Sequence, residues 1–405
     1  MKKKLLAFTA AAVLMAPQMV GAEGFAIYEW SAEGLAMGGA RMFAEDDAAN
    51  MAYNPASITK VKGEAAKISA TYLSPHGKYD LDSDYGPESG HNRVHPAWAP
   101  GMYYVRQIND KEWLGMGTYS RFGMVSQFER DSVAGTNAFS SKLNGISLGV
   151  NYAHKFDKKW TAALGAEVNY VGLQLDKNQL VPYFGKSPLH IEGESYALGW
   201  NAAANYTFDE KNEMGVVYRS KITHSMEADI DAHIPRMPGL YGDAYGVVTL
   251  PESIDVGYSH KFNDKTRIEA RYTWTRWDRY ENLDMIFSNV DPLNGLHKNP
   301  KNWSNGQRFA VGLEHKFSDK YSGMLGYAHD KSSIPYDGGD FMIPTGTRTT
   351  YGIGAQYHDK KQTLAVGLAW MNVGCLDFRG GEAISNVHTR DSYTKIASIS
   401  YQRNF

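Results

Sequence analysis

Four arginines and two apolar clusters are the residues of this chain best suited to hold a ligand. Arg267, Arg271 and Arg308 share inward parity along alternating segments, and Arg348 stands near the start of another. Guanidinium groups on one face of a strand suit a carboxylate head, which accepts their paired N–H groups. Glu269 and Glu314 lie in the same stretches, so salt bridging among these side chains is the other reading. The apolar clusters are Leu180, Val181, Tyr183, Phe184 and Leu189, then Ile234, Met237, Leu240 and Tyr241. Both fall where the chain links alternating segments through long connections. Exposed apolar groups there suit capture of an apolar solute, or packing on each other to close an opening. Bond-making chemistry has less support. The 13 histidines fall mostly at segment ends or scattered between segments, with neither a nucleophile elbow nor metal-ligand spacing. No metal or cofactor is expected. A formal net charge of −2 points to no nucleic-acid partner.

The segments that carry these residues have a regular rhythm. Six short polar turns punctuate the chain: Asn109-Asp110-Lys111, Asp157-Lys158-Lys159, Asp209-Glu210-Lys211, Asn263-Asp264-Lys265, Ser318-Asp319-Lys320 and His358-Asp359-Lys360. Three are entered by the same tripeptide, at His154-Lys155-Phe156, His260-Lys261-Phe262 and His315-Lys316-Phe317. Between turns the residues alternate. Ile146, Leu148, Val150, Tyr152 and Phe156 oppose Ser147, Gly149, Asn151, Ala153 and Lys155, and Phe309, Val311, Leu313 and Phe317 oppose Arg308, Ala310, Gly312 and Lys316. A soluble sheet also alternates, but here the apolar face repeatedly ends on an aromatic at a tight turn, as a membrane-interface girdle requires.

Six tight turns on the rim that also carries both termini imply seven hairpins and fourteen strands. The alternation places them at 65–80, 94–108, 112–125, 138–156, 160–176, 189–208, 213–232, 245–262, 266–284, 303–317, 321–334, 346–358, 362–378 and 390–405. The expected fold is all-β: a 14-stranded antiparallel transmembrane barrel with an N-terminal plug. The last strand ends on Phe405, the kind of ending that barrel-assembly machinery recognises.

Lys2–Lys4, the apolar run Leu5–Met15 and the small residues Val20-Gly21-Ala22 read as a secretory signal peptide over 1–22, too short to span as a helix. Cys375 is the only cysteine, so no internal disulfide forms, and a closed ladder of backbone hydrogen bonds is the alternative source of stability. Residues 23–64 remain before the first strand. They are rich in Gly, Ala and short polar residues, and are expected to fill the bore of a barrel over 65–405.

That segment reads Gly24-Phe25-Ala26-Ile27-Tyr28-Glu29-Trp30-Ser31-Ala32-Glu33-Gly34-Leu35, with Asp46-Asp47-Ala48-Ala49-Asn50 and Asn54-Pro55-Ala56 following. Downstream come His95-Pro96-Ala97-Trp98, Phe122-Gly123-Met124, Leu250-Pro251-Glu252-Ser253, Trp274-Thr275-Arg276-Trp277, Asn302-Trp303, Arg308-Phe309-Ala310-Val311-Gly312, Gly326-Tyr327-Ala328-His329-Asp330 and Ile334-Pro335. In order and spacing the chain resembles the FadL/TodX family of outer-membrane transporters. The resemblance covers essentially everything after the signal peptide. It implies a hatch within the barrel, uptake of long-chain fatty acids or hydrocarbons, and sideways release at a kinked third strand. Carried onto this chain, it implies that Phe25, Asn54, Pro55 and Ala56 belong to the hatch, with Asn54-Pro55-Ala56 near the wall opening. It places the kink in 112–125, where Gly115 and Gly117 could relax the ladder. It also implies an entry groove between the two apolar clusters. Partners are then hydrophobic small molecules, outer-membrane lipid and lipopolysaccharide, and the assembly machinery, for a monomer in a Gram-negative outer membrane. A porin or adhesin for other ligands and a barrel-type hydrolase are the alternatives.

Overall fold

The computed structural model describes residues 24–181, 183, 185–236, 239–381 and 383–405; the expected signal peptide, Phe184 and Met237 lie outside the described residues. Fourteen antiparallel strands close into a barrel. They are β1 (Glu64–Ser83), β2 (Ala97–Asn109), β3 in two pieces (Glu112–Tyr119 and Gly123–Gln127), β4 (Ser140–Lys155), β5 (Trp160–Val181), β6 (Gly185–Thr207), β7 in two pieces (Asn212–Arg219 and Ile222–Ala232), β8 in two pieces (Leu240–Leu250 and Ser253–Lys261), β9 (Thr266–Thr275), β10 (Gly306–Lys316), β11 (Tyr321–Lys331), β12 (Arg348–His358), β13 (Gln362–Val373) and β14 (Ile384–Asn404). Closure comes from β1 against β14, with Ala65 opposite Asn404 and Ser83 opposite Ile384.

Side-chain alternation explains why the cylinder sits in lipid. Leu114, Val150, Leu164, Leu198, Leu325, Ile353, Leu368 and Ile399 all point outward and are exposed, Leu198 to 77%. In water such a belt would be an aggregation surface, whereas in a bilayer it faces its solvent. Phe156, Phe208, Phe262, Phe317 and Phe405 ring the turn-bearing rim and are likewise exposed. The opposite parity is small, polar or charged and buried, as at Ser147, Asn151, Glu269, Arg271 and Ser400.

The six tight turns share a local cause. An Asp, Asn or Ser side chain in each accepts backbone N–H groups within the turn, which fixes its local geometry. Asp157 Oδ1 accepts from Lys159 N and Trp160 N, both at 2.7 Å. Asp209, Asn263, Ser318 and Asp359 repeat the pattern, and Asn109 Oδ1 accepts from Lys111 N at 2.9 Å. Backbone donors from Trp160 and Lys159 hold the Asp157 carboxyl below its ordinary range; Lys361 N leads in doing so at Asp359, and the Asn212 side chain followed by Lys211 N at Asp209. A folded-state pKa below the unfolded one stabilises the turn above the unfolded pKa of about 3.9, and the effect is lost as pH falls through the folded value. Carbon-detected NMR titration should therefore place all three midpoints below about 3.9.

Several boundaries differ from the alternation. β5 and β6 extend to Val181 and from Gly185, because their hairpin projects well past the lipid-facing belt. Strand β14 begins at Ile384 and β1 reaches Ser83 for the same reason. By contrast β9 stops at Thr275, where the chain enters a one-turn 3₁₀ helix at Trp277–Arg279. Strands β7 and β8 break at one level, between pairs Arg219–Ser253 and Ile222–Leu250, where Pro251 lacks an N–H.

Candidate functional site: a filled bore and a break in the wall

The segment before β1 lies buried within the ring of inward-facing side chains, from Phe25 to Val61, with Glu45 exposed at the turn-bearing rim. It forms two short helices, α1 (Ala32–Ala36), capped by Ser31, and α2 (Asn50–Tyr53), followed by a 3₁₀ turn from Pro55 to Lys60. Bonds from many strands hold it. Lys67 of β1 places Nζ 2.8 Å from both Glu33 Oε1 and Asp47 Oδ1. Arg41 spans from Asp47 at 3.1 Å to Glu314 of β10 at 3.3 Å. Glu269 of β9 accepts from Met42 N and Phe43 N at 2.6 and 3.0 Å. Ala32 N donates to Ser400 Oγ and Ala48 N to Gln402 Oε1 on β14. Charges this deep persist because each has a partner.

The four arginines singled out from the sequence all face inward, and each donates to a backbone carbonyl of this segment. Arg267 bonds Phe43 O at 2.8 Å while paired with Glu269 and Glu314. Arg271 bonds Gly39 O at 2.9 Å while paired with Asp255. Arg308 bonds Gly38 O while paired with Asp330, and Arg348 reaches Gly24 O at 3.5 Å and Thr345. Their first role is thus to seat the N-terminal segment. Arg219 of β7, not singled out beforehand, does the same at Ala52 O. Its inward parity, with Asp255 two residues along the neighbouring strand as its ion-pair partner at 2.8 Å, was the available signal.

The wall is interrupted at β3. On the β4 side the register slips by one, from Tyr119 opposite Ser147 to Gly123 opposite Asn144, so a bulge lies at Ser120–Phe122. On the β2 side pairing ends at Met102–Thr118. Beyond it Ala97–Gly101 pairs with β1 and Gly123–Gln127 with β4, with no ladder between them, although Arg93 N, ahead of β2, donates to Gln127 O at 2.6 Å. Pro100, without an N–H, lies in this stretch, which is unpaired on its β3 side. Backbone groups at the break bond to the N-terminal segment instead: Gly123 N to Phe25 O at 2.9 Å, Ile27 N to Arg121 O at 2.9 Å and Trp30 Nε1 to Ser120 O at 2.6 Å. The Phe25 ring is enclosed by Phe122, Trp277, Tyr280 and Trp303, with centroids 4.8 to 6.2 Å away. Arg121 pairs with Glu167 at 2.5 Å on the lumen side. Above the break a cavity of ≈ 90 Å³ is lined by Pro75, Val94, Val125, Phe128, Phe341 and Arg348, among others.

These positions correct three expectations. Gly115 and Gly117 do not relax the ladder, since Gly115 pairs with Val105 and Asn151, and Gly117 with Tyr103 and Gly149. Gly115 instead admits Met51, whose sulfur a Cβ there would strike. Asn54-Pro55-Ala56 is not the stretch at the break, which is occupied by Phe25–Ile27. Asn54 Nδ2 bonds Asn205 Oδ1 at 2.8 Å near the turn-bearing end of β6, and its Oδ1 caps Ala56 N. The two apolar clusters do not face each other across a groove. Their hairpins join edge to edge, with Leu189 opposite Ala232 and His233 N donating to Pro188 O. Val181, Leu189 and Ile234 are buried, Leu180 and Leu240 half-buried, while Tyr183 and Tyr241 are exposed near the tips.

A family model described as outer membrane protein transport protein (OMPP1/FadL/TodX) matches residues 13–391. The chain belongs to this family. Membership places it in the outer membrane of a Gram-negative cell. It is 24% identical to the long-chain fatty acid transport protein of Escherichia coli O157:H7, over 92% of this chain and 93% of that protein. Against outer membrane protein P1 of Haemophilus influenzae identity is 25%, over 98% and 97%. The crystal structure of a Pseudomonas aeruginosa FadL homologue superposes with a TM-score of 0.84 at 18% identity, covering 94% of this chain and 100% of that one. The Pseudomonas putida toluene transporter TodX gives 0.72 at 16% identity, over 93% and 99%. At these identities the two structures speak to the FadL/TodX fold.

Proposed function

We propose that this protein carries hydrophobic molecules, long-chain fatty acids or hydrocarbons, passively across the outer membrane and releases them sideways between β2 and β3. One observation carries the reading: the ladder is missing between Ala97–Gly101 and Gly123–Gln127, with an apolar cavity above the break and the N-terminal segment behind it. A solute leaving there enters lipid without crossing the charged outer leaflet. The filled bore disfavours a porin for polar solutes. The named activities of the relatives support the same solute class, a fatty acid for one and toluene for another. Burial of an alkyl chain gives about 0.8 kcal/mol per CH₂, so diffusion down a gradient needs graded contacts rather than one tight pocket. Residues 24–63 act as the hatch, and a shift of Phe25–Ile27 frees the exit. The barrel works as a monomer among outer-membrane lipid and lipopolysaccharide, inserted by the assembly machinery.

The test is uptake by cells lacking other transporters of this kind. Expression should raise entry of labelled oleate or toluene without raising entry of a disaccharide. Equal gains for all three solutes would reject the reading.

A further inference from the structure

The lipid-facing wall carries a cation without a counter-ion among the described residues. On β14 the inward side chains Thr394, Ile396, Ser398 and Ser400 are buried, so Lys395 points away from the bore, where it is exposed. It stands ten residues along the chain from Phe405. That is about 34 Å of strand and, at the usual tilt, about 25 Å of height, the full height of an apolar belt. With the Phe405 ring at the turn-bearing edge of the lipid, Lys395 lies at the extracellular edge. Below it on the same face Val366, Leu368 and Ile399 are all exposed.

Two rings hold this side chain in place. Trp370 of β13 lies directly opposite Lys395, and Tyr393 lies two residues further out on β14. The rings stack with centroids 4.5 Å apart and planes at 16°, and Lys395 Nζ lies 5.8 Å from each centroid. The ammonium is thus fixed against the rings at the lipid edge, where a lysine would otherwise extend freely toward water. Higher on the same flank the cations already have partners: Lys78 pairs with Asp391 at 3.1 Å and Arg390 with Asp80 at 2.5 Å. Another flank has the opposite charge. There Glu192 lies opposite Asp229, Glu194 opposite Glu227, and Asp229 opposite Asp243. Like charges set directly across strands make a field that repels anions.

We propose that the outward face of β13 and β14 is a seat for lipid A of the outer-leaflet lipopolysaccharide, with Lys395 holding one of its phosphates. The stacked Trp370–Tyr393 pair borders the sugar, and the acyl chains run down over Leu368, Ile399 and Val366. Two features select this occupant. Its phosphate meets a charge-assisted donor at the height where the hydrocarbon ends, and its chains meet an apolar wall immediately below. The acidic flank offers the same lipid no such contact. Strands β1 and β2 alone separate the seat from the break in the wall, so the bound glycolipid borders the exit.

The test uses the barrel purified from outer membranes in detergent, freed of endogenous lipid and titrated with lipid A under native mass spectrometry. Two probes are compared, bisphosphoryl lipid A and the same lipid with both phosphates removed. The unaltered protein should bind the first about fivefold more tightly than the second. Lys395→Gln should weaken binding of the first about fivefold and leave the second unchanged, whereas Lys395→Arg should retain the preference. Glu227→Gln, on the acidic flank, should weaken neither. Heat-modifiable migration on gels reports folding in each case. Equal affinity of the unaltered protein for the two lipids would overturn the seat without recourse to any variant. Tight binding of bisphosphoryl lipid A by Lys395→Gln, undiminished from the unaltered protein, would overturn it as well. Neither measurement involves uptake, so the outcome is separate from that of the transport reading.

Discussion

Deleting Ser120 should reduce uptake of a hydrophobic solute to the level of cells without the protein, while the barrel still inserts. The register between β3 and β4 slips by one across the break, so one residue fewer restores continuous pairing. Inward parity is odd at Trp113, Gly115, Gly117 and Tyr119, and even at Met124 and Ser126. Removing a single residue brings both halves into phase and lets β3 extend its ladder along β2 beyond Met102. The backbone groups that now bond Phe25 and Ile27 would then bond a strand. Closing the wall removes the exit but leaves the lipid-facing belt unchanged. Uptake of labelled oleate is the measurement, with surface protease resistance showing insertion. Undiminished uptake by the deletion variant would place the exit elsewhere.

Lys67→Met should unseat the N-terminal segment at a cost of about 3–5 kcal/mol, because it leaves a buried carboxylate uncompensated. Lys67 lies 2.8 Å from Glu33 and from Asp47, and its side chain is 1% exposed. Asp47 keeps Arg41 when Lys67 is lost. Among the described residues Glu33 has no other ion pair, and its second oxygen already lacks a partner. The double variant Lys67→Met with Glu33→Leu removes both charges and should recover most of the loss, as apolar replacement of a whole buried pair usually does. Limited proteolysis reads the difference directly. Cleavage within residues 24–63 should appear in the single variant and recede in the double. Equal protection of all three proteins would show that this pair does not hold the segment.

Much of the barrel was legible because two independent signals agreed. Period-2 alternation marked the strands, and Asp, Asn or Ser side chains that accept from the backbone two and three residues on marked the turns. Inward parity likewise identified Arg267, Arg271 and Arg308. Their partners were not legible, since a guanidinium bonding a carbonyl of a segment more than 200 residues away leaves no local pattern. The kink falls within 112–125 as expected, but the residues that make it were missed for a similar reason. Glycine at 115 and 117 is a visible signal, but a one-residue parity slip between Tyr119 and Gly123 is masked by the mixed run Ser120-Arg121-Phe122. Edge pairing of the two apolar hairpins depends on tertiary geometry, so Leu189 and Ile234 read as exposed capture residues although packing buries them.

The most direct measurement of sideways release is the place where a photoreactive alkyl diazirine, loaded from outside the cell, crosslinks. The account predicts adducts on the facing edges of β2 and β3, at Ala97–Gly101 and Gly123–Gln127, together with adducts on adjoining lipid, and the loss of both in the Ser120 deletion. Adducts confined to the turn-bearing end of the bore, around Glu45 and Lys261, would mean that the solute passes straight through and would contradict it.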